Sequence, residues 1–275
     1  LVVNKWNGWY DSPPGGADIT PRPDAPGSYR GRNLRRAKRF TLECTGRSES
    51  PDTRELLIDK IVSILLDPDS TYPLVRNEVT RSLMIWVELD GPVVPVPLGN
   101  YHVRFVIPLA ASDPYKYTDY NDAQSTPLPS PPTDGILWDG PAGGTGTQWD
   151  GPGPGITGWQ YQTTQGVPGI LKLTNNGTAD APIEFTISST AVNPRITNIQ
   201  TQQIIRIGTT VGPPSSITIN TKTGRVMMDS VDITGLLTNS DFFSVPAKSF
   251  VDIAFSADPG SAGSILTARN ANVFN

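Results

Sequence analysis

Residues 217–237, ITINTKTGRVMMDSVDITGLL, constrain the fold more than any other stretch, because they hold two strand-sized runs and two reversals within twenty-one residues. Ile217 and Ile219 alternate with Thr218 and Asn220, the period of a half-buried strand, and Thr223-Gly224 offers a residue free to take positive φ where the chain must reverse. Val226 and Met228 resume the alternation. Asp229-Ser230-Val231-Asp232 is then a second polar reversal before Ile233, Leu236 and Leu237. Short alternating runs also occur at 169–173, 183–188, 194–198, 203–207 and 250–255, with Gly, Asn and Pro between them. Residues 159–275 therefore read as one β-sandwich domain.

Residues 1–118 read as an antiparallel β domain with one packed helix, so the whole chain is expected to be mainly β. Trp6, Trp9 and Tyr10 are followed by SPPGGADITPRPDAPGS, whose prolines and glycines forbid a long regular element. An arm or extended loop is expected over 1–29. Six of the ten residues 30–39 are basic, namely Arg30, Arg32, Arg35, Arg36, Lys38 and Arg39, and they run into a strand in which Phe40, Leu42 and Cys44 share one face. Such a run serves either as a contact for an acidic partner surface or as a charged guard on a sheet edge. A helix is expected over about 52–66, capped by Asp52 with Glu55 reaching back, and ended by Pro68. Its stripe of Leu57, Ile58, Ile61, Val62, Leu65 and Leu66, widened by Leu56 and Ile64, suits packing across a sheet. Strands follow at 82–89 and 101–109. His102 falls on the polar face of the second, without the neighbours of a triad, and reads as a surface residue.

Between 119 and 158 apolar residues thin out, Pro and Gly multiply, and Trp-Asp-Gly-Pro occurs twice, at 138–141 and 149–152. This is the expected domain boundary, a long loop pinned by its indoles. Glycine (26) and proline (27) approach a fifth of the 275 residues without a collagen period. A net charge of -4 argues against a general nucleic-acid binder, and no apolar run reaches the roughly eighteen residues of a membrane span. The single cysteine, Cys44, excludes an internal disulfide. Asn176-Gly177-Thr178 matches a glycosylation sequon but is also plain turn chemistry, the favoured reading. Asp67 and Asp69 lack the spacing of a calcium-binding EF-hand loop.

The C-terminal succession LKLTNNGTADAPIEFTI, IIRIG, ITINTKTGRVMMDSVDITGLL and FFSVPAKSFVDIAF resembles the C-terminal domain of siphovirus distal tail (Dit) proteins. RRAKRFTLECTG, DTRELLIDKIVSILL and YHVRFVIPLAASDPYKY are similar in order and spacing to that family's N-terminal belt domain. The resemblance implies a galectin-like outer sandwich and a belt domain whose copies close a hexameric ring around the tail lumen, joining the tail tube to the tip in the virion. It implies further copies of the chain, a tail tube protein and a tail tip or tail-associated protein as partners. No catalytic constellation stands in the sequence, so no catalytic residue, cofactor or metal is expected. In such a ring a heterologous contact repeats around a closed axis, and the basic residues of 30–39 with the proline-rich arms are the candidate inter-subunit contacts. Two turns depart from the family pattern: Ser230 stands where a glycine is usual, and Pro246-Ala247-Lys248 replaces Pro-Gly.

The alternative is a receptor-binding or carbohydrate-binding tail module using the sandwich and the tryptophan loop, with Trp138, Trp149 and Trp159 as loop anchors or contacts to a host surface glycan. An enzyme is the most distant reading. With one His and one Cys, neither a Cys-His pair nor the usual zinc ligand set is expected.

Overall fold

Strand-forming alternation governs most of the described residues in the computed structural model, which describes residues 1–16, 19–31, 34–63, 70–130 and 169–275. The chain divides into two units, Leu1–Asp119 with Val273–Asn275, and Tyr120–Asn272. The Trp-Asp-Gly-Pro loop, helix positions 64–66, and Asp67 and Asp69 lie outside the described residues.

The first unit contains β1 (Val2–Asn7), β2 (Gly15–Gly16), β3 (Ile19–Pro21), β4 (Ser28–Arg30), β5 (Leu34–Arg35), β6 (Lys38–Arg47), α1 (Pro51–Val62), β7 (Tyr72–Asn77), β8 (Ser82–Leu89), β9 (Val94–Leu98), β10 (His102–Ala111) and most of β11 (Lys116–Tyr120). Antiparallel pairings set the order β1-β6-β10-β9, and the far end of β10 meets β8, which pairs with β7. β6 alternates inward and outward without a break, burying Lys38, Phe40, Leu42, Cys44 and Gly46 on one face. That face joins Trp9, Leu83, Ile85, Val87, Val103, Phe105 and Leu109 in one core. The expected arm or extended loop over 1–29 is overturned at its start: β1 pairs with β6, and Trp9 is fully buried. Further along, β3 and β4 form a short separate hairpin.

The helix starts one residue earlier than expected, at Pro51, and its cap lies two residues earlier. Ser50, not Asp52, is the N-cap: its Oγ accepts the Thr53 backbone N–H at 3.2 Å, and Thr53 Oγ1 accepts the Ser50 N–H at 2.9 Å. Thr53 takes the place given to Glu55 because the cap lies before Pro51, which suits the first helical position. Only Ile61 is fully buried, while Leu57 and Ile58 are half-buried against the core. Leu57 fits because Gly46 has no side chain there: a Cβ on Gly46 would sit 2.8 Å from Leu57 Cδ2.

The second unit begins with β12 (Gln124–Pro127) and continues with β13 (Ile170–Asn175), β14 (Ile183–Asn198), β15 (Ile204–Ile207), β16 (Thr210–Val211), β17 (Ser216–Asn220), β18 (Arg225–Met228), β19 (Val231–Asp232), β20 (Leu237–Ser240) and β21 (Ser249–Phe274). β14 and β21 are the two longest strands and pair with each other along most of β14. The first half of β14 and the second half of β21 pair with each other and with β17 and β12, and the remaining halves pair with β15 and β13. The expected separate strands at 183–188 and 194–198 are thus one element. Its register shifts lie between Ser188 and Arg195, where Ser189 and Asn193 take positive φ (66 and 46), so bulges interrupt the ladder at mid-strand. The inward faces supply the core, including Phe185, which meets Phe243 edge to face at 5.9 Å.

Several strand ends share one device. Asn175, Asn198 and Asn220 close strands, and each side-chain oxygen accepts the backbone N–H two residues on, at 2.9, 3.0 and 2.9 Å. The two family departures both occupy the left-handed region: Ser230 has φ 74 and Lys248 φ 53. A non-glycine residue there costs roughly 1–2 kcal/mol, offset in part by the greater unfolded-chain entropy of glycine. Ser230→Gly is therefore expected to raise the unfolding free energy by about 0.5–1 kcal/mol. A urea midpoint that stays put or falls would show that the turn stores no strain.

Candidate functional site

The basic run does not form a single surface, because strand alternation divides it. Arg39 points outward, with its Nε 2.9 Å from Asp90 Oδ2. Lys38, its neighbour, points inward with Phe40 and Leu42 and is buried. Its Nζ donates to the backbone oxygens of Trp9 at 2.7 Å and Asp11 at 2.8 Å, and Lys116 Nζ reaches the same Trp9 oxygen at 3.1 Å. Lys38 is thus withdrawn from the candidate contact set, since its ammonium is committed within its own unit. The signal was present in the sequence: the period that aligns Phe40, Leu42 and Cys44 also places Lys38 on their face.

Arg35 lies in β5, donates to Asn275 Oδ1 and sits 5.9 Å over the Tyr115 ring. The Arg36 backbone N–H is held by Pro14 O at 3.0 Å, and its side chain is exposed. Arg30 closes the β3–β4 hairpin. Arg32, Trp138, Trp149 and Trp159 lie outside the described residues. His102 is exposed, in register between Leu98 of β9 and Arg47 of β6.

Around Trp9 the chain builds a cationic and aromatic latch. Gly8 turns at φ +84, where a Cβ would approach Arg39 O at 3.0 Å, and so delivers the indole to the core. Arg76 lies 4.9 Å from the Trp6 ring centre and 4.7 Å from that of Tyr10. Burial, reinforced by the nearby Lys116 charge, lowers the Lys38 pKa from its ordinary 10.5 to about 8. Between these values the unfolded chain binds more protons than the folded one, so stability should rise as the pH climbs from about 8 towards 10.5. The Lys116 pKa is lowered as well, mainly by burial, and acts with the same sign. The expected gain by pH 10 is on the order of 2 kcal/mol, with Lys38→Met flattening much of the rise. A denaturation series in which both proteins show the same slope above pH 8 would refute this.

The outer faces of the first unit carry more exposed apolar surface than a solitary sheet needs. On β9, Val94, Val96 and Leu98 are 47, 41 and 50% exposed, and on the β7–β8 hairpin Val75 and Trp86 are 51 and 42% exposed. β9 pairs with β10 through all five of its residues. Because proline has no N–H, the ladder's donors on β9 are Val94, Val96 and Leu98, and Pro95 and Pro97 leave the open edge without donors at their positions. That edge resists extension by another strand, so a partner meeting β9 does so through side chains.

Among the described residues there is no group of three or more His, Cys, Asp or Glu side chains placed to hold a metal ion, and no helix is long and apolar enough to cross a membrane. Cys44 is buried, and that burial raises its thiol pKa, the opposite of an activated nucleophile. The arrangement offers surfaces for packing.

Residues 176–252 match the family described as siphovirus-type tail component, C-terminal domain. Over the whole chain the fold is similar to the crystal structure of SPP1 Dit (gp 19.1), described as a paradigm of hub adsorption apparatus in Gram-positive infecting phages. That likeness has a TM-score of 0.65 at 11% identity and covers 100% of this chain and 93% of the other. A chain of the phage P2 baseplate in its activated conformation with Ca gives a TM-score of 0.49 at 11% identity, over 93% of this chain and 86% of that one. No curated protein sequence matches.

Proposed function

We propose, for a chain that is of the siphovirus distal tail (Dit) type in its C-terminal domain and in its overall fold, a structural and non-catalytic role in which copies of the first unit close a ring joining tail tube to tail tip. The protein is a structural component of the phage tail or baseplate, in the virion. The single observation that carries the role is the family match over 176–252, set in a chain whose fold follows SPP1 Dit from end to end. The exposed faces of β9 and of the β7–β8 hairpin support the ring. A ring needs two different patches on each subunit, one meeting the other around a closed axis, and these are two patches on different elements.

In this reading the partners are further copies of the chain, a tail tube protein and a tail tip or tail-associated protein. Six copies are the number implied by the family. No described residue favours a host glycan over these partners.

Negative-stain images of the purified full chain, paired with light scattering over a wide concentration range, test the role. Closed rings of uniform diameter are expected. A monomer at every concentration, with no ring in the images, would overturn it.

A further inference from the structure

Helix α1 covers the core with one side and leaves the other without a partner. At 100° per residue, Ile61, Arg54, Leu57 and Ile58 share the inward side, and Asp52, Glu55, Leu56 and Asp59 share the outward one. Burial agrees with this geometry: Ile61 is buried, while Leu56 is 67% exposed and the three acids around it are exposed. The helix's own arginine is turned away, with Arg54 Nη1 donating to Gly99 O at 2.9 Å. None of Asp52, Glu55 and Asp59 joins an ion pair among the described residues. An exposed leucine with unpaired carboxylates on one flank and the exposed Lys60 on the other has the anatomy of an interface: an apolar centre with a charged rim, here mainly acidic.

The same unit carries exposed arginines elsewhere, on the outward side of the divided basic run. Residues 30–39 contain no acid, and Arg35, Arg36 and Arg39 are exposed. No ion pair among the described residues joins these arginines to α1 within one chain; Arg39 is held by Asp90 instead. Two surfaces of opposite sign that do not meet in one chain can meet between chains, and a contact of unlike surfaces repeated around an axis generates a ring.

Resting on the ring reading, we infer that the outward face of α1 is a docking surface for a second copy of this chain, receiving its Arg35–Arg36–Arg39 segment with Leu56 at the centre of the contact. The electrostatic share of the contact makes it weaken with salt.

The test is a charge swap in the full-length protein, read by light scattering and negative-stain imaging, with circular dichroism to verify folding. Arg35→Glu with Arg36→Glu, and separately Asp52→Lys with Glu55→Lys and Asp59→Lys, are each expected to weaken association by about 10- to 100-fold. Joined in one chain, the two sets should restore rings. Raising NaCl from 50 mM to 500 mM should dissociate wild-type rings, and Leu56→Asp alone should also weaken them. Rings that persist in the helix variant, a combined variant that folds without regaining rings, or association indifferent to salt would each overturn the contact while leaving the ring itself standing. A wild-type chain that never forms rings would overturn the ring reading, and this contact with it.

Discussion

Trp9→Ala is expected to destabilise the first unit by about 3–5 kcal/mol, the usual cost of removing a fully buried large aromatic side chain. The loss has several parts. The indole meets Trp6 at 5.2 Å and Phe40 at 6.0 Å in edge-to-face contacts, and its Nε1 donates to Glu78 at 3.4 Å. The residue's backbone oxygen receives both Lys38 and Lys116. Without the indole the turn at Gly8 loses its anchor, and two desolvated ammoniums face a backbone free to move away. Tyr10, next along the chain and 66% exposed, is the control: Tyr10→Ala removes a cation–π contact with Arg76 and should cost about 1 kcal/mol or less. Hydrogen exchange at the β6 amides is the suitable readout, since a two-unit chain need not unfold in one step. If those amides are equally protected in Trp9→Ala and Tyr10→Ala, the indole does not anchor this unit.

Local pattern made some of this architecture legible and left the rest hidden. The β17–β18 hairpin was readable because each of its devices is near in sequence: the alternation of Ile217 and Ile219, the Asn220 oxygen holding the N–H of Lys222 and Thr223, and Gly224 at φ +68. β21 was readable only over 250–255. Its continuation runs through Ser, Gly and Ala, residues with little strand preference, and is held by β14 about eighty residues away. Trp9 was misread for a related reason. Its neighbourhood of Gly8, Pro13 and Pro14 has turn chemistry, and what buries it comes from Lys38, Phe40 and Lys116. The basic run was visible as a run, but its division into an inward Lys38 and an outward Arg39 needed the strand period carried two residues upstream of Phe40. The exposed side of α1 was hidden for another reason: composition shows Leu56 as one more apolar position, and only the direction of the core shows that it faces out.

Asn175→Ala is the second large effect, expected to cost the second unit about 3 kcal/mol or more. Asn175 ends β13 and is fully buried. Its Nδ2 lies 2.8 Å from Ala179 O, 3.1 Å from Val245 O and 3.3 Å from Pro246 O, and its Oδ1 accepts the Gly177 N–H at 2.9 Å. One side chain thereby closes its own turn and ties that turn to the segment leading into β21. Alanine removes the amide but leaves the backbone groups behind, and each buried group left unpaired costs about 1–3 kcal/mol. Asn175→Asp separates the two tasks, because the carboxylate still accepts from Gly177 but has no N–H for the three carbonyl oxygens. If the donor side carries the larger share, Asp should be as damaging as Ala or worse, since an ionised carboxylate would face carbonyl oxygens. Urea unfolding of both variants decides it. An Asp variant close to the wild type would mean that the Gly177 turn bond alone does the holding, and that the ties to Val245 and Pro246 contribute little.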